Sequence, residues 1–307
     1  MKIAIVGSGA MGSLFGGMLA LAGSDVVLYD IFKEHVDAVS AGGLAIEDAA
    51  TGAVTTARPR ASADPNAVDG ADVLVIFVKS TATEEAAARF APRARKDAIV
   101  LTLQNGLGNE AILGRHFGPG RTAAGVTSQG ATFLGPGRIR HAGKGPTHIC
   151  MADGKNERLA PLCQALEAAG FETHVSTDVA SLVWSKLVIN VGINALTALT
   201  SQQNGKLLES DDTRAIMADL VAEAVAVARA RGIPLTHADP FAVVCDVAAK
   251  TGANRSSMLQ DFDRKRPSEI EVMNGAIVRE AEKAGIAVPV NLTITRLVRA
   301  VEKARSR

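Results

Sequence analysis

The sequence predicts an α/β fold, with a doubly wound sheet at the N-terminus and an all-α domain at the C-terminus. Three observations carry this. Short continuous apolar runs alternate with helical periodicity through the first half. A glycine-rich turn joins the first such run to the first helical stretch. After Phe171 to Val175 the strand-like runs stop, and nearly everything that follows has the period of a helix.

Ile3 to Val6 is a β-branched apolar run, the kind of strand buried on both faces of a parallel sheet. Met11 to Ala22 follows as a helix, with Met11, Leu14, Phe15, Met18 and Leu19 at helical spacing and Gly23 as its stop. Asp25 to Tyr29 reads as the second strand. Val73 to Val78 and Ala98 to Leu103 repeat the buried pattern, with a helix between them that starts after Lys79-Ser80-Thr81 and runs to Ala91. Strand and helix in alternation imply parallel pairing with right-handed crossovers, a Rossmann-type sheet. Arg121 to Thr132, Gly137 to His141 and Thr147 to Met151 are glycine-rich and β-like, and are expected to extend that sheet with antiparallel edges. Four helices are expected in the second half, over Ala180 to Leu199, Asp211 to Arg231, Ala238 to Thr251 and Glu269 to Ala284. The boundary falls near Thr177, dividing the chain into an α/β domain (1–177) and a helical domain (178–307).

The composition excludes some classes of function. The 307 residues carry 33 Lys and Arg against 32 Asp and Glu, so no whole-chain field attracts nucleic acid or anionic lipid. Neither a nucleic-acid nor a membrane partner is expected. The basic stretch Arg296 to Arg307 runs beside Leu297, Val298 and Val301 at helical spacing, which reads as a solvated last helix rather than a phosphate-binding tail. Cys150, Cys163 and Cys245 are widely spaced and odd in number, so buried thiols are expected, with no disulfide framework and no metal site. The N-terminus has the character of a strand and turn, not of a signal segment, and a cytoplasmic protein is expected.

Gly7-Ser8-Gly9-Ala10-Met11-Gly12 is the chemically richest motif of the first half. Gly7 serves the tight turn, Gly9 lets backbone approach a pyrophosphate, and Gly12 lets the helix pack closely on the strand. The helix N-terminus adds free N–H groups and the positive end of its dipole. GxGxxG is weak alone, but its place between a buried strand and a helix points to a dinucleotide. Asp30 ends the second strand, where an acid accepts the ribose hydroxyls of NAD and repels the 2′-phosphate of NADP. The alternative is an Asp that caps a helix beginning near Ile31, and Lys33 and His35 lie close by.

In the second half, Lys186, Asn190 and Asn194 recur at i, i+4 and i+8 on an otherwise apolar helix, and so share one face. Burying an ammonium and two amides is costly unless they meet partners or line a wet cleft. Partial desolvation lowers a lysine toward the range useful for proton transfer, and an alkoxide formed by carbonyl reduction needs a proton. The alternative is a structural polar seam. Asn254 to Asp261, with Ser257, and Arg266 to Glu271, with Glu269, supply companion groups for a substrate carboxylate and for the lysine. Their simpler readings are an ordinary N-cap for the serines and helix-start electrostatics after Pro267 for Glu269.

Together Gly7 to Gly12, Val78-Lys79, Gln104-Asn105-Gly106-Leu107-Gly108, Trp184-Ser185-Lys186 through Asn190 and Asn194, Asn204-Gly205, Ser256 to Asp261, and Ser268-Glu269-Ile270 with Asn274-Gly275 resemble the ketopantoate reductase family over essentially the whole chain. The resemblance implies reduction of 2-dehydropantoate to (R)-pantoate by hydride transfer from NADPH in pantothenate and coenzyme A synthesis. It implies Lys186 as proton donor. Asn190, Asn194, Asn204, Asn254 and Ser257 are implied at the substrate, Asn105 between substrate and nicotinamide, and Glu269 on the cofactor side. Lys79 and Ala131 fall at positions that touch cofactor. The sequence departs from the family pattern at Ile31, where members that use NADPH commonly carry arginine, and with Asp30 this points toward NADH. Other readings are a reductase of another 2-oxo acid, or a non-catalytic dinucleotide sensor. A second copy of the chain is a candidate partner, through the Ala-rich helices after Asp211.

Overall fold

The computed structural model describes residues 1–305; Ser306 and Arg307, the end of the basic stretch, lie outside the described residues. The chain forms two compact units. One is Met1–Gln104 with Gly108–Val179, and the other is Asn105–Leu107 with the chain from Ala180 onward.

The first unit runs β1 (Lys2–Val6), α1 (Ala10–Leu21), β2 (Asp25–Tyr29), α2 (Lys33–Gly42), β3 (Leu44–Asp48), β4 (Val54–Ala57), β5 (Arg60–Ser62), β6 (Val73–Ile76), α3 (Thr83–Phe90), β7 (Ile99–Thr102), α4 (Asn109–Phe117), β8 (Thr122–Thr127), β9 (Gly130–Gly135), β10 (Arg138–Gly143), β11 (Thr147–Met151), α5 (Ala160–Ala168) and β12 (Thr173–Val175). The continuous apolar runs form strands because each face has its own core to fill. Ile3, Ile5, Val73 and Val75 point into one apolar cluster, while Ala4, Val6, Leu74 and Ile76 point into the other. The main sheet has the order β12-β11-β8-β7-β6-β1-β2-β5. From β8 to β5 every pairing is parallel. The chain leaves β1 toward β2 on one side and returns to β6 on the other, so the crevice at the ends of β1 and β6 is the topological switch point, where doubly wound sheets bind ligands.

The structure changes the expected fate of the glycine-rich segments. β8 and β11 do extend the main sheet, with β11 antiparallel to β8. β9 and β10 leave it, and pair instead with β3 and β4 in a second sheet of order β4-β3-β10-β9. Helix α1 lies between the two sheets. A Cβ on Gly16 would press on Leu28, Ile5 and Val26 of the main sheet, and one on Gly17 on Ile46 and Leu44 of the second. Adjacent glycines thus let both sheets close on one helix. The strand expected over Val73 to Val78 ends at Ile76, which leaves Phe77 to Lys79 as loop at the switch point.

The second unit comprises α6 (Val179–Thr200), α7 (Asp211–Ala230), α8 (Pro240–Lys250), α9 (Ser257–Asp263), α10 (Asn274–Ala284) and α11 (Pro289–Arg305). Trp184, Leu187, Val188, Val191 and Leu196 of α6 share a core with Met217, Leu220, Val221, Val244, Ile277, Ile294 and Val298 from the surrounding helices. By length and composition α6 could cross a membrane, but most of it is buried within this core. The single helix expected over Glu269 to Ala284 is broken. Ile270–Val272 is a 3-10 turn, Met273 adopts φ −104°, ψ −105°, and α10 begins only at Asn274. Of the three cysteines expected to be buried, only Cys150 is; Cys163 and Cys245 are partly exposed, and all three are free.

Candidate active site

At the switch point the Gly-rich loop is shaped by close backbone approach. Gly7 has φ +95°, and a Cβ there would lie 2.5 Å from Val78 N; one at Gly12 would lie 2.0 Å from the Gly7 carbonyl oxygen. Any side chain at either position would force the loop away from β6 or α1 away from the loop. Gly9 differs, since its Cβ would meet no protein atom within 4 Å. No packing within the protein requires glycine there. Gly9 is also the N-cap of α1 and offers no side chain to the first turn. The amides of Ala10, Met11 and Gly12 therefore open the helix without a side-chain cap, where a pyrophosphate suits both the N–H groups and the dipole.

Ser8 has a different task from its neighbours. It is buried, and both its N–H (2.6 Å) and its hydroxyl (3.2 Å) donate to Asp30 Oδ2. Asp30 Oδ1 accepts the Phe32 N–H at 2.9 Å. Helix α2 starts at Lys33 with Phe32 as its N-cap, so Asp30 ties the loop to the end of β2 instead of capping the helix itself. Three donors take up most of the roughly four acceptor sites of a carboxylate and leave it one free direction. Ile31 beside it is 79% exposed. Lys79 is exposed and leads into the 3-10 turn Ser80–Ala82, and Ala131 lies partly buried on β9 opposite His141. Gln104 holds the loop after β6, since its Nε2 donates to the Val78 carbonyl (2.6 Å) and to Thr83 Oγ1 (2.9 Å).

The helical unit assembles a second set of groups. Lys186, Asn190 and Asn194 lie along one face of α6, as their spacing predicts. Lys186 keeps some exposed surface, yet its ammonium is enclosed enough that burial lowers it to about 8, against the opposing pull of the Glu269 carboxylate. Glu269 is 7% exposed and sits at the head of the 3-10 turn. Asn105 joins the same unit although it follows β7, because the Leu107 N–H donates to the Val272 carbonyl (3.0 Å) in the turn that follows Glu269. Asn194 Nδ2 contacts Met273 Sδ at 3.5 Å.

Asn204 is buried. Its Nδ2 donates to Thr251 Oγ1 (2.9 Å), its N–H to the Asn254 carbonyl (3.0 Å), and its Oδ1 has no hydrogen-bond partner among the described residues. A buried amide oxygen in that state is an acceptor in wait of a donor. Asn254 contributes its backbone while its side chain is exposed. Ser257 is the first residue of α9, and the N-cap is its neighbour Ser256. Ser256 Oγ accepts the Leu259 N–H and lies 2.6 Å from Thr197 Oγ1, which donates to the Asn194 carbonyl at 2.9 Å. This chain fixes α9, and Ser257 with it, to the α6 turn that carries Asn194. Thr197, Thr251 and Thr83 gave no signal in the sequence, since a buried hydroxyl declares its purpose only when its partner is in place.

A parallel sheet with an uncapped helix N-terminus at its switch point, and a helical unit that holds a depressed lysine among amides, define an oxidoreductase that uses a nicotinamide dinucleotide. The chain belongs to the ketopantoate reductase family: residues 3–154 match the family described as "Ketopantoate reductase PanE/ApbA", and residues 178–302 match "Ketopantoate reductase PanE/ApbA C terminal". It is 39% identical over 304 residues to the 2-dehydropantoate 2-reductase of Halobacterium salinarum, covering 99% of each chain. Among solved structures it resembles a PanE/ApbA family ketopantoate reductase from Ralstonia eutropha, with a TM-score of 0.92 and 38% identity over the whole of both chains. D-mandelate dehydrogenase in a ternary structure with NADH and anilino(oxo)acetate matches at TM-score 0.92 and 29% identity, also over both full chains.

Proposed function

We propose that this protein reduces 2-dehydropantoate to (R)-pantoate, with Lys186 as the proton donor. The observation that carries the mechanism is that Lys186, Asn190 and Asn194 on α6 share one unit with Glu269 and Asn105, from stretches far apart in the chain, and that the Lys186 ammonium, facing the Glu269 charge, is lowered to about 8. The residues of the first unit fit a dinucleotide, as the open space at Gly9 and the uncapped first turn of α1 attest. The bound dinucleotide supplies a hydride for the C2 carbonyl. As the carbonyl oxygen becomes an alkoxide, Lys186 Nζ gives it a proton, and the lysine is poised because its pKa lies near working pH. Asn190, Asn194, Asn204, Asn254 and Ser257 orient the substrate through its carboxylate and hydroxyl, and Asn204 Oδ1 is an acceptor suited to the hydroxyl. Glu269 keeps Lys186 protonated until the alkoxide forms.

The test is consumption of 2-dehydropantoate by the purified protein with NADH or NADPH. Lys186→Ala is expected to lower kcat by about 10²- to 10⁴-fold, the usual worth of a general acid. Full turnover in that variant would refute the mechanism.

At the adenosine end, the reading is NADH in preference to the NADPH that the family resemblance implies. This reading is supported by the Asp30 carboxylate at the end of β2, where an acid suits ribose hydroxyls, and by exposed Ile31, which provides no cation for a 2′-phosphate. The double variant Asp30→Ala, Ile31→Arg is expected to move the NADPH to NADH ratio of kcat/KM upward by at least about tenfold, equivalent to ~1.4 kcal/mol. A wild type that already favours NADPH would overturn this reading.

A second substrate reading is supported by the D-mandelate dehydrogenase match, which has the same TM-score as the ketopantoate reductase from Ralstonia eutropha. Amides and a serine suit the carboxylate and 2-oxo group that all such acids share, and a further hydroxyl that only some of them carry. A panel of branched and aromatic 2-oxo acids ranked by kcat/KM separates the two.

A further inference from the structure

Behind the Gly-rich loop, buried polar groups of the first unit form one directed chain. Ser13 on α1 is 0% exposed and His35 on α2 is 1% exposed. The Gly137 N–H, from the turn between β9 and β10, donates to His35 Nδ1 at 3.0 Å. A backbone N–H can only donate, so Nδ1 is the bare nitrogen and the neutral imidazole carries its proton on Nε2. Burial favours that neutral form by lowering the imidazole pKa, against the pull of Asp30. His35 Nε2 lies 3.0 Å from Ser13 Oγ and donates to it, and Ser13 Oγ donates in turn to the Ser8 carbonyl at 2.7 Å. Ser8 passes the constraint on, because its N–H and hydroxyl both hold Asp30 Oδ2. No other proton arrangement of the neutral groups satisfies every link.

We propose that Ser13 and His35 are positioning residues of the dinucleotide site: acting through Ser8, they fix the Asp30 carboxylate for the adenosine ribose, and they brace that end of the site on the second sheet through Gly137. The proposal rests on the reading of the Gly-rich loop as the dinucleotide site. Both residues are buried behind the loop, so their effect reaches a ligand only through Ser8 and Asp30. Loss of the Ser13 hydroxyl strands the His35 Nε2–H and the Ser8 carbonyl in a dry space. Ser8 then shifts to find another donor, and Asp30 shifts with it. The damage belongs to the adenosine half of the ligand.

The test compares full-length wild type with Ser13→Ala and His35→Leu, using three probes: NADH, ADP-ribose, and reduced nicotinamide mononucleotide, which lacks the adenosine ribose. Expected are a rise of about tenfold in Kd for NADH and ADP-ribose, in keeping with the loss of one buried hydrogen bond, and a change below about twofold for the mononucleotide. The loss is expected in the NADH KM and not in kcat. His35→Gln, which can present an amide N–H toward Ser13, is expected to recover most of the affinity. Equal losses on all three probes, or no loss on any, would overturn the proposal, and so would a His35→Gln variant as weak as His35→Leu. Should one of the two loss variants fail to fold, the other decides on the same terms. A wild type that binds neither NADH nor ADP-ribose would fail at the earlier step, the loop reading itself.

Discussion

Lys186, as the proposed proton donor, answers to two opposing influences. Desolvation pushes its ammonium down and the charge of Glu269 pulls it back up, leaving it at about 8. A general acid must be protonated, so kcat/KM is expected to be full below that value and to fall about tenfold per pH unit above it. Glu269→Gln removes the influence that raises the pKa, so the alkaline limb should move to lower pH. A pH profile of both proteins checks the sign, and a limb that moved upward or stayed still would refute the coupling. The lysine was legible in the sequence because i, i+4, i+8 is a local periodicity, and so was the line it makes with Asn190 and Asn194. Its electrostatic partner was less so: Glu269 lies far along the chain, and at the head of a supposed helix it read equally well as helix-start electrostatics. Asp30 was ambiguous for a related reason. Its role depends on Ser8, a residue 22 positions away that turns its N–H toward the carboxylate.

The glycines of helix α1 and its loop meet different demands. Gly12 is required by the protein itself, since a Cβ would collide with the Gly7 carbonyl, whereas Gly9 faces open space. Gly12→Ala is therefore expected to destabilise the fold by about 1–3 kcal/mol, the typical cost of overpacking, and to weaken dinucleotide binding as well. Gly9→Ala should leave Tm nearly unchanged while it weakens dinucleotide binding. Thermal melts beside fluorescence titrations separate the two, and a Gly9→Ala variant that binds dinucleotide as well as wild type would refute the role given to that glycine. Elements whose identity rests on their own period, such as β1, β7, α6 and α7, were read correctly from sequence. β9 and β10 were recognised as β-like but given the wrong sheet, because alternation says that a segment is a strand and not which edge it joins. The break at Met273 was hidden because apolar spacing continues across it while the backbone does not.

At the scale of the molecule, each unit has its own apolar core, and the chain passes between the units more than once. Asn105–Leu107 is the telling segment. It is flanked by β7 and α4 of the first unit, yet its Leu107 N–H is held by the Val272 carbonyl and its side chain packs on the helical core. Linear sequence placed it in the first 177 residues, because nothing local announces a partner so distant. The consequence is measurable by native-state hydrogen exchange, in which amides of one cooperative unit open together. The Leu107 amide is expected to exchange at the rate of the α6 to α11 core, and to accelerate with that core when a truncation such as Leu220→Ala weakens it by ~2–5 kcal/mol. Amides of β7 should keep their wild-type rates in the same variant. If Leu107 followed β7 instead, the segment would belong to the dinucleotide unit. Asn105, in its proposed substrate role, would then lack the brace that Val272 now provides.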